Sequence, residues 1–176
     1  TRDEIKVVAC ALGLSALVVV ADGFYQFIFG IDTADMKWVD GEAFPELRKR
    51  VFATWENPNI LAAYLDIVIC VLLGLFAKMN NKSTRIYLAM FMAASLACLA
   101  MTYARGALLT IAVIIGCYGI LKDRRILLTL ILVAGGVLAL DPVLLERMQT
   151  AFLVADTSSE MRIAMWESTV QMIMDH

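Results

Sequence analysis

The sequence has no excess of charge: 15 Lys and Arg stand against 17 Asp and Glu, a net charge of -2. No basic field runs over it, so nothing suggests a nucleic-acid partner. It has a single histidine, His176 at its last position, to which no role is assigned. The four cysteines (Cys10, Cys70, Cys98 and Cys117) all fall inside apolar runs. Their spacing fits no zinc pattern, and thiols in lipid-facing helices do not easily meet as disulfides, so they read as small packing residues. The methionines show no paired spacing and read as packing material rather than a metal path. Internal repeats and low-complexity segments are also missing. Apolar residues are what it has in abundance: 61% of the chain, with a mean hydropathy of +0.76. Ordinary soluble domains hold roughly 45–50%. A soluble domain of 176 residues has nowhere to bury that much apolar surface, whereas a bilayer accepts it.

The chain opens Thr1-Arg2-Asp3 without an initiator Met and closes at Asp175-His176 inside a helical pattern. It therefore reads as an internal fragment of a longer protein. Val7 to Val20 is too long, and too poorly followed by a small-residue cleavage site, for a signal peptide.

The first apolar run goes from Val7 to Phe29, with Asp22 inside it. A polar stretch, Gly30 to Asn57, leads to a second run from Pro58 to Ala77. Pro58 loses no hydrogen bond as the first helical residue, and Asn57 can cap. That run is about 20 residues, or ~30 Å, the thickness of a bilayer core. The loop from Lys78 to Arg85 leads to a third run, Ile86 to Tyr103. Arg105-Gly106 interrupts it, and a fourth continues to Leu121. Lys122-Asp123-Arg124-Arg125 precedes a fifth, Ile126 to Leu140, which Asp141-Pro142 stops. The expected fold class is all-α, a polytopic transmembrane bundle of about five spans.

Basic residues bias short loops toward the cytoplasm. The loop with Lys78, Lys82 and Arg85 and the loop with Lys122, Arg124 and Arg125 should both lie inside. That requires two crossings between Ile86 and Leu121, with the Arg105-Gly106 turn on the outer face. Each crossing then has about 16 or 17 residues, the lower edge of the spanning range. The turn should be recessed, with Arg105 below the outer headgroups. Residues 1–142 form the transmembrane region, with an external loop at about 30–57, and residues 143–176 begin an external, periplasmic loop. Leu144, Leu145, Met148 and Phe152 make Val143–Val154 an amphipathic helix in the interface. Thr157-Ser158-Ser159-Glu160 has the form of a capping box. A second amphipathic helix should follow, with Ile163, Trp166, Val170 and Ile173 on one face.

Arg48, Arg50, Arg105 and Arg162 all fall on the outer side, against the cytoplasmic bias. A recessed guanidinium such as that of Arg105 is costly without a partner or a function. Its planar fork suits phosphate or carboxylate, and a cluster of such forks beside the membrane suits a lipid-linked diphosphate. The bland alternative is that Arg105 snorkels to the headgroups or pairs with Asp22 or Asp66. Those two acids sit at similar depth, ~10–12 Å below the outer face. They read as structural partners of Arg105 or of polar atoms on neighbouring helices, or else as a proton or ion path. Asn57-Pro58-Asn59 fits a helix start and a ligand contact equally well. Trp166 follows Arg162 by four residues, so ring and guanidinium can stack on one helix face.

Taken together these segments resemble the O-antigen ligase/polymerase family of bacterial envelope glycosyltransferases. The stretch Arg50-Val51-Phe52-Ala53-Thr54-Trp55-Glu56-Asn57-Pro58-Asn59-Ile60-Leu61-Ala62-Ala63-Tyr64-Leu65 is similar to the family's Arg followed by Thr-aromatic-x-Asn-Pro-Asn. Thr102-Tyr103-Ala104-Arg105-Gly106-Ala107 is similar to its Thr-x-Ser-Arg-Gly-Ala turn, with Ala104 where Ser is usual. Arg162 with Trp166 resembles the Arg-x-x-x-Trp that opens its large external loop. The three occur in the family's order, over most of the chain from Arg50 onward.

The resemblance implies a GT-C-like helical fold at the outer face of the bacterial cytoplasmic (inner) membrane. Such enzymes move a glycan from an undecaprenyl diphosphate carrier to an acceptor: lipid A-core sugar for a ligase, another repeat unit for a polymerase. It implies a reaction without a metal or other cofactor. Arg105 and Arg162 correspond to the catalytic, diphosphate-binding arginines, and Arg50, Asn57 and Asn59 to residues lining the site. The family's Pro-x-x-Gly-x-Gly segment and acceptor-activating His would follow Asp175, so these residues alone are expected to be inactive. Two other classes remain. A transporter would use Asp22 and Asp66 along a path through discontinuous helices. A non-catalytic scaffold would leave the outward arginines unexplained.

Overall fold

The computed structural model describes residues 2–30, 50–122 and 157–175. Among them the chain is helical, with no strand. It divides into two units, Thr1–Ile131 and Leu132–His176. Helix α1 is Arg2–Phe29, α2 Pro58–Lys78, α3 Lys82–Met101, α4 Arg105–Leu121 and α5 Thr157–Met174. A short 3-10 turn, η1, covers Ala53–Trp55. The runs expected at Ile126–Leu140 and Val143–Val154, the bulk of the external loop and Arg48 lie outside the described residues.

Each helix end has a local cause. α1 stops at Gly30, whose φ of +74° suits a residue without a Cβ, and its amide donates to Gln26 O at 3.0 Å. α2 starts as its sequence suggests: Asn57 is extended, its side chain accepts from Asn59 N, and Pro58 takes the first helical position. α3 begins earlier than its apolar pattern. Asn81 Oδ1 accepts from Ser83 N at 3.0 Å, which draws Lys82, Ser83, Thr84 and Arg85 into the first turn. The connection shrinks from the expected Lys78–Arg85 to Met79, Asn80 and Asn81, because a polar cap outranks the start of apolar periodicity in placing a helix end.

Between Ile86 and Leu121 the chain does break, at Thr102–Ala104. Thr102 N donates to Leu99 O and Tyr103 N to Ala100 O, tightening the last turn of α3. Tyr103 then takes a left-handed φ of +52°. Thr102 Oγ1 donates to Leu99 O at 2.7 Å and accepts from Ala104 N at 3.2 Å, closing the turn on itself. Arg105 opens α4 rather than sitting in the turn.

α2 is the central helix and packs against α1, α3, α4 and η1. Its buried side carries Leu61, Leu65, Ile69 and Leu73, a period of four that keeps one face inward. These join Val19 and Val20 of α1, Cys98 and Leu99 of α3, and Ile111 and Ile115 of α4 in one core. α4 starts at the end of the bundle where α2 starts, yet buries Ile111 and Ile115 in that core. At 1.5 Å per residue, a helix continuing the direction of α3 would carry Ile115 about 15 Å past the end of α2. α4 therefore turns back alongside α2.

Small residues let the helices close up, as in bundles held by van der Waals packing. A Cβ built on Gly23 would lie 2.6 Å from Cys98 Sγ and 3.2 Å from Val51 Cγ1, so only glycine fits where α1 meets α3. Ala16, Ala62 and Ser95 are fully buried. Many large apolar side chains point outward instead, among them Leu14, Val18, Ile28, Ile67, Tyr87 and Val113. That surface suits lipid and not water. Among the described residues three helices are long and apolar enough to cross a membrane, Val7–Phe29, Pro58–Lys78 and Lys82–Met101, and α4 is a shorter apolar helix of 17 residues. In the second unit, α5 exposes Ile163, Trp166, Val170 and Ile173.

Candidate functional site

The end of the first unit where α2 begins, α3 ends and α4 begins is bound together by polar side chains. Arg50 is the hub. It is only 9% exposed, its Nε donates to Thr102 O at 2.7 Å, and its Nη2 donates to Asn59 Oδ1 at 3.0 Å. Next to it, Val51 N donates to Met101 O at 3.1 Å. The segment before α2 is thereby fastened to the turn between α3 and α4, across 52 residues of chain. A buried guanidinium with fixed acceptors is the arrangement that makes arginine tolerable away from water.

Four of the five residues singled out from sequence gather here. Arg50 and Asn59 touch, Asn57 caps α2 beside them, and Arg105 follows the Thr102–Ala104 turn that Arg50 grips. Arg105 is half-buried at the first position of α4. Near a helix N-terminus its guanidinium adds to the positive end of the helix dipole, which favours an anion at that end. Arg162 is exposed on α5, in the second unit.

The acids behave differently from each other. Asp22 Oδ2 accepts from Gln26 Nε2 of its own helix at 3.4 Å. Asp66 Oδ1 is buried with no hydrogen-bond partner among the described residues. Each acid lies ~10–12 Å along its helix from the end that carries Arg105.

Two features of this end were not anticipated. The first is Gln26. Its Oε1 accepts from Ala53 N at 2.8 Å and from Phe52 N at 3.3 Å, and its Nε2 donates to Ala53 O at 3.1 Å. A glutamine inside an apolar run is a polar residue seeking partners, which is the signal that could have found it. The second is backbone strain. Ala53 (φ +47°), Glu56 (φ +54°) and Tyr103 (φ +52°) are left-handed without being glycine, and all three sit at this end. Beside them Trp55 packs on Tyr64, ring centroids 5.3 Å apart, and Tyr64 Oη donates to Ser15 Oγ at 3.1 Å.

Among the described residues no three His, Cys, Asp or Glu side chains come together as metal ligands. The apolar groove lined by Leu17, Thr84, Tyr87, Leu88, Met90 and Phe91 contains none of the residues of this polar end.

A membrane-associated chain, helical through its described residues and with a buried arginine clasp at one end of its apolar helices, is the class these features define. Comparisons with family models, with curated proteins and with solved structures find no match.

Proposed function

We propose that this chain is part of a bacterial membrane glycosyltransferase of the O-antigen ligase type. It would move a glycan from undecaprenyl diphosphate to an acceptor at the outer face of the cytoplasmic membrane. One observation carries the reading. Arg50 bonds both to Asn59 and to the turn before Arg105, so the two segments that resemble the family's motifs form one polar site.

In this reading the spans number about five, with the basic loops on the cytoplasmic side. Arg105 neutralises the diphosphate as the glycosyl bond to it breaks. Preorganised cations in a partly dry site do this well, because they need not reorganise as charge develops. Asn57 and Asn59 line the site, and Arg50 orders it. The acceptor is lipid A-core sugar, or a further repeat unit if the enzyme is a polymerase of the same family.

The test is transfer from an undecaprenyl diphosphate-linked glycan by the full-length protein in membranes. Arg105→Lys should lower turnover by roughly 100-fold, since one ammonium cannot replace a bidentate fork. Full activity in that variant would return Arg105 to a structural role. In a deletion strain, loss of all polymer on the acceptor marks a ligase, and a single repeat unit left attached marks a polymerase. The unpaired carboxylate oxygen of Asp66 favours a second reading, a transporter with an acid on its path. Asp66→Asn should leave glycan transfer unchanged if the first reading holds.

A further inference from the structure

Helix α1 contributes none of the residues in the motif segments, yet it holds one of those segments in place. Phe52 and Ala53 are buried, 7% and 4% exposed, ahead of the first turn of α2. Their amides have no helix to bond to, and an orphaned buried amide costs about 1–3 kcal/mol. Gln26 supplies the missing partners. One carboxamide accepts from both amides and donates to the Ala53 carbonyl, pairing with that backbone much as a neighbouring strand would. Asp22 accepts from the same Nε2, which fixes which end of the amide is the donor. The segment so held is strained, with left-handed backbone at Ala53 and Glu56, and such conformations persist only where surroundings over-determine them.

The chemistry is demanding. The side chain must accept two hydrogen bonds at one atom and donate from another within one plane. Glutamate can accept both but cannot donate, and leucine can do neither. Directly after the held segment come Asn57, which caps α2, and Asn59, which Arg50 grips together with the turn before Arg105.

We propose that Gln26 is a positioning residue of the diphosphate site, setting the placement of Asn57, Asn59 and Arg50 relative to Arg105 through the backbone of Phe52 and Ala53. This rests on the glycosyltransferase reading for what the site binds, while the clamp itself does not. The experiment uses the full-length protein in nanodiscs with Gln26→Leu and Gln26→Glu. Hydrogen exchange of the peptide spanning residues 50–57 should speed up at least about 10-fold in Gln26→Leu and less in Gln26→Glu, with α2 and α3 unchanged. Unchanged exchange at 50–57, or equal acceleration everywhere, overturns the clamp. Binding of undecaprenyl diphosphate should weaken about 10-fold in Gln26→Leu, with partial rescue in Gln26→Glu. Normal binding beside faster exchange overturns the positioning role alone. If the unaltered protein does not bind undecaprenyl diphosphate, the glycosyltransferase reading falls with that role, and the exchange result still decides the clamp.

Discussion

α2 and α3 start with the same device and end up in opposite surroundings. Asn57 and Asn81 are both extended, and each accepts from the amide two residues on, at 2.8 and 3.0 Å. At Asn81 that is nearly the whole structure. Met79 N donates to Leu75 O, Arg85 N to Asn81 O, and Asn80, Asn81 and Lys82 are exposed. At Asn57 the preceding residues Val51, Phe52 and Ala53 are buried, and Gln26, Arg50 and Thr102 bond around them. All three left-handed non-glycine residues among those described belong to this end. Reversing a chain between apolar helices thus needs one cap and a few backbone bonds. The additional polar side chains and strain at the other end exceed what a turn requires, which is why that end is the candidate site.

The largest expected effect is at Arg50. Arg50→Ala removes the donor to Thr102 O and to Asn59 in a buried setting and should cost about 3 kcal/mol. Lys82→Ala at the plain end should stay within about 0.5 kcal/mol. Unfolding in mixed micelles measures both, and equal losses would erase the distinction between the two ends. Next comes Gly23→Ala, which drives a methyl into Cys98 Sγ and should cost about 2 kcal/mol. Adding Cys98→Ala should recover most of that loss, and a double mutant no better than the single would mean that α1 is held to α3 elsewhere.

Asn57→Ala and Asn81→Ala sharpen the comparison further. Each loses one cap and should cost about 1 kcal/mol of stability. Only Asn57→Ala should also lower glycan transfer, and an equal fall in both would show the effect to be general destabilisation. The smallest effect is at Tyr103. In Tyr103→Gly the relief of left-handed strain, about 1 kcal/mol, offsets a similar entropy cost, so the backbone change alone is nearly neutral and any loss reports the Tyr103 side chain. Tyr87→Gly, inside α3, has no strain to relieve and should lose about 1 kcal/mol in the same assay.

Much of this architecture was legible beforehand. The apolar lengths located α1, α2 and α4, Asn57-Pro58 placed the start of α2, and a break between Ile86 and Leu121 followed from the charges of the flanking loops, although it falls at Thr102–Ala104 and not at Arg105-Gly106. α3 starts four residues ahead of its apolar run, because the cap at Asn81 outranks apolar periodicity. Packing brings Arg50, Asn57, Asn59 and Arg105 to one end of the bundle, and it sets Asp22 against Gln26 of its own helix. Depth along a helix can be counted from sequence, but which face looks at which neighbour cannot.

Helix extent and capping are written in neighbouring residues, because hydrophobic periodicity and cap bonds act within a turn or two of chain. The chain alone therefore sufficed to make this a set of apolar helices with an interrupted pair. Packing made the remaining choices. It brought Gln26 to Ala53 across 27 residues and Arg50 to Thr102 across 52, and it left Asp66 Oδ1 without a partner among the described residues. Those pairings depend on how closely α1 can approach α3 at Gly23 and on which side of α2 faces inward. They are settled by side-chain volumes meeting across helices, which no local pattern encodes.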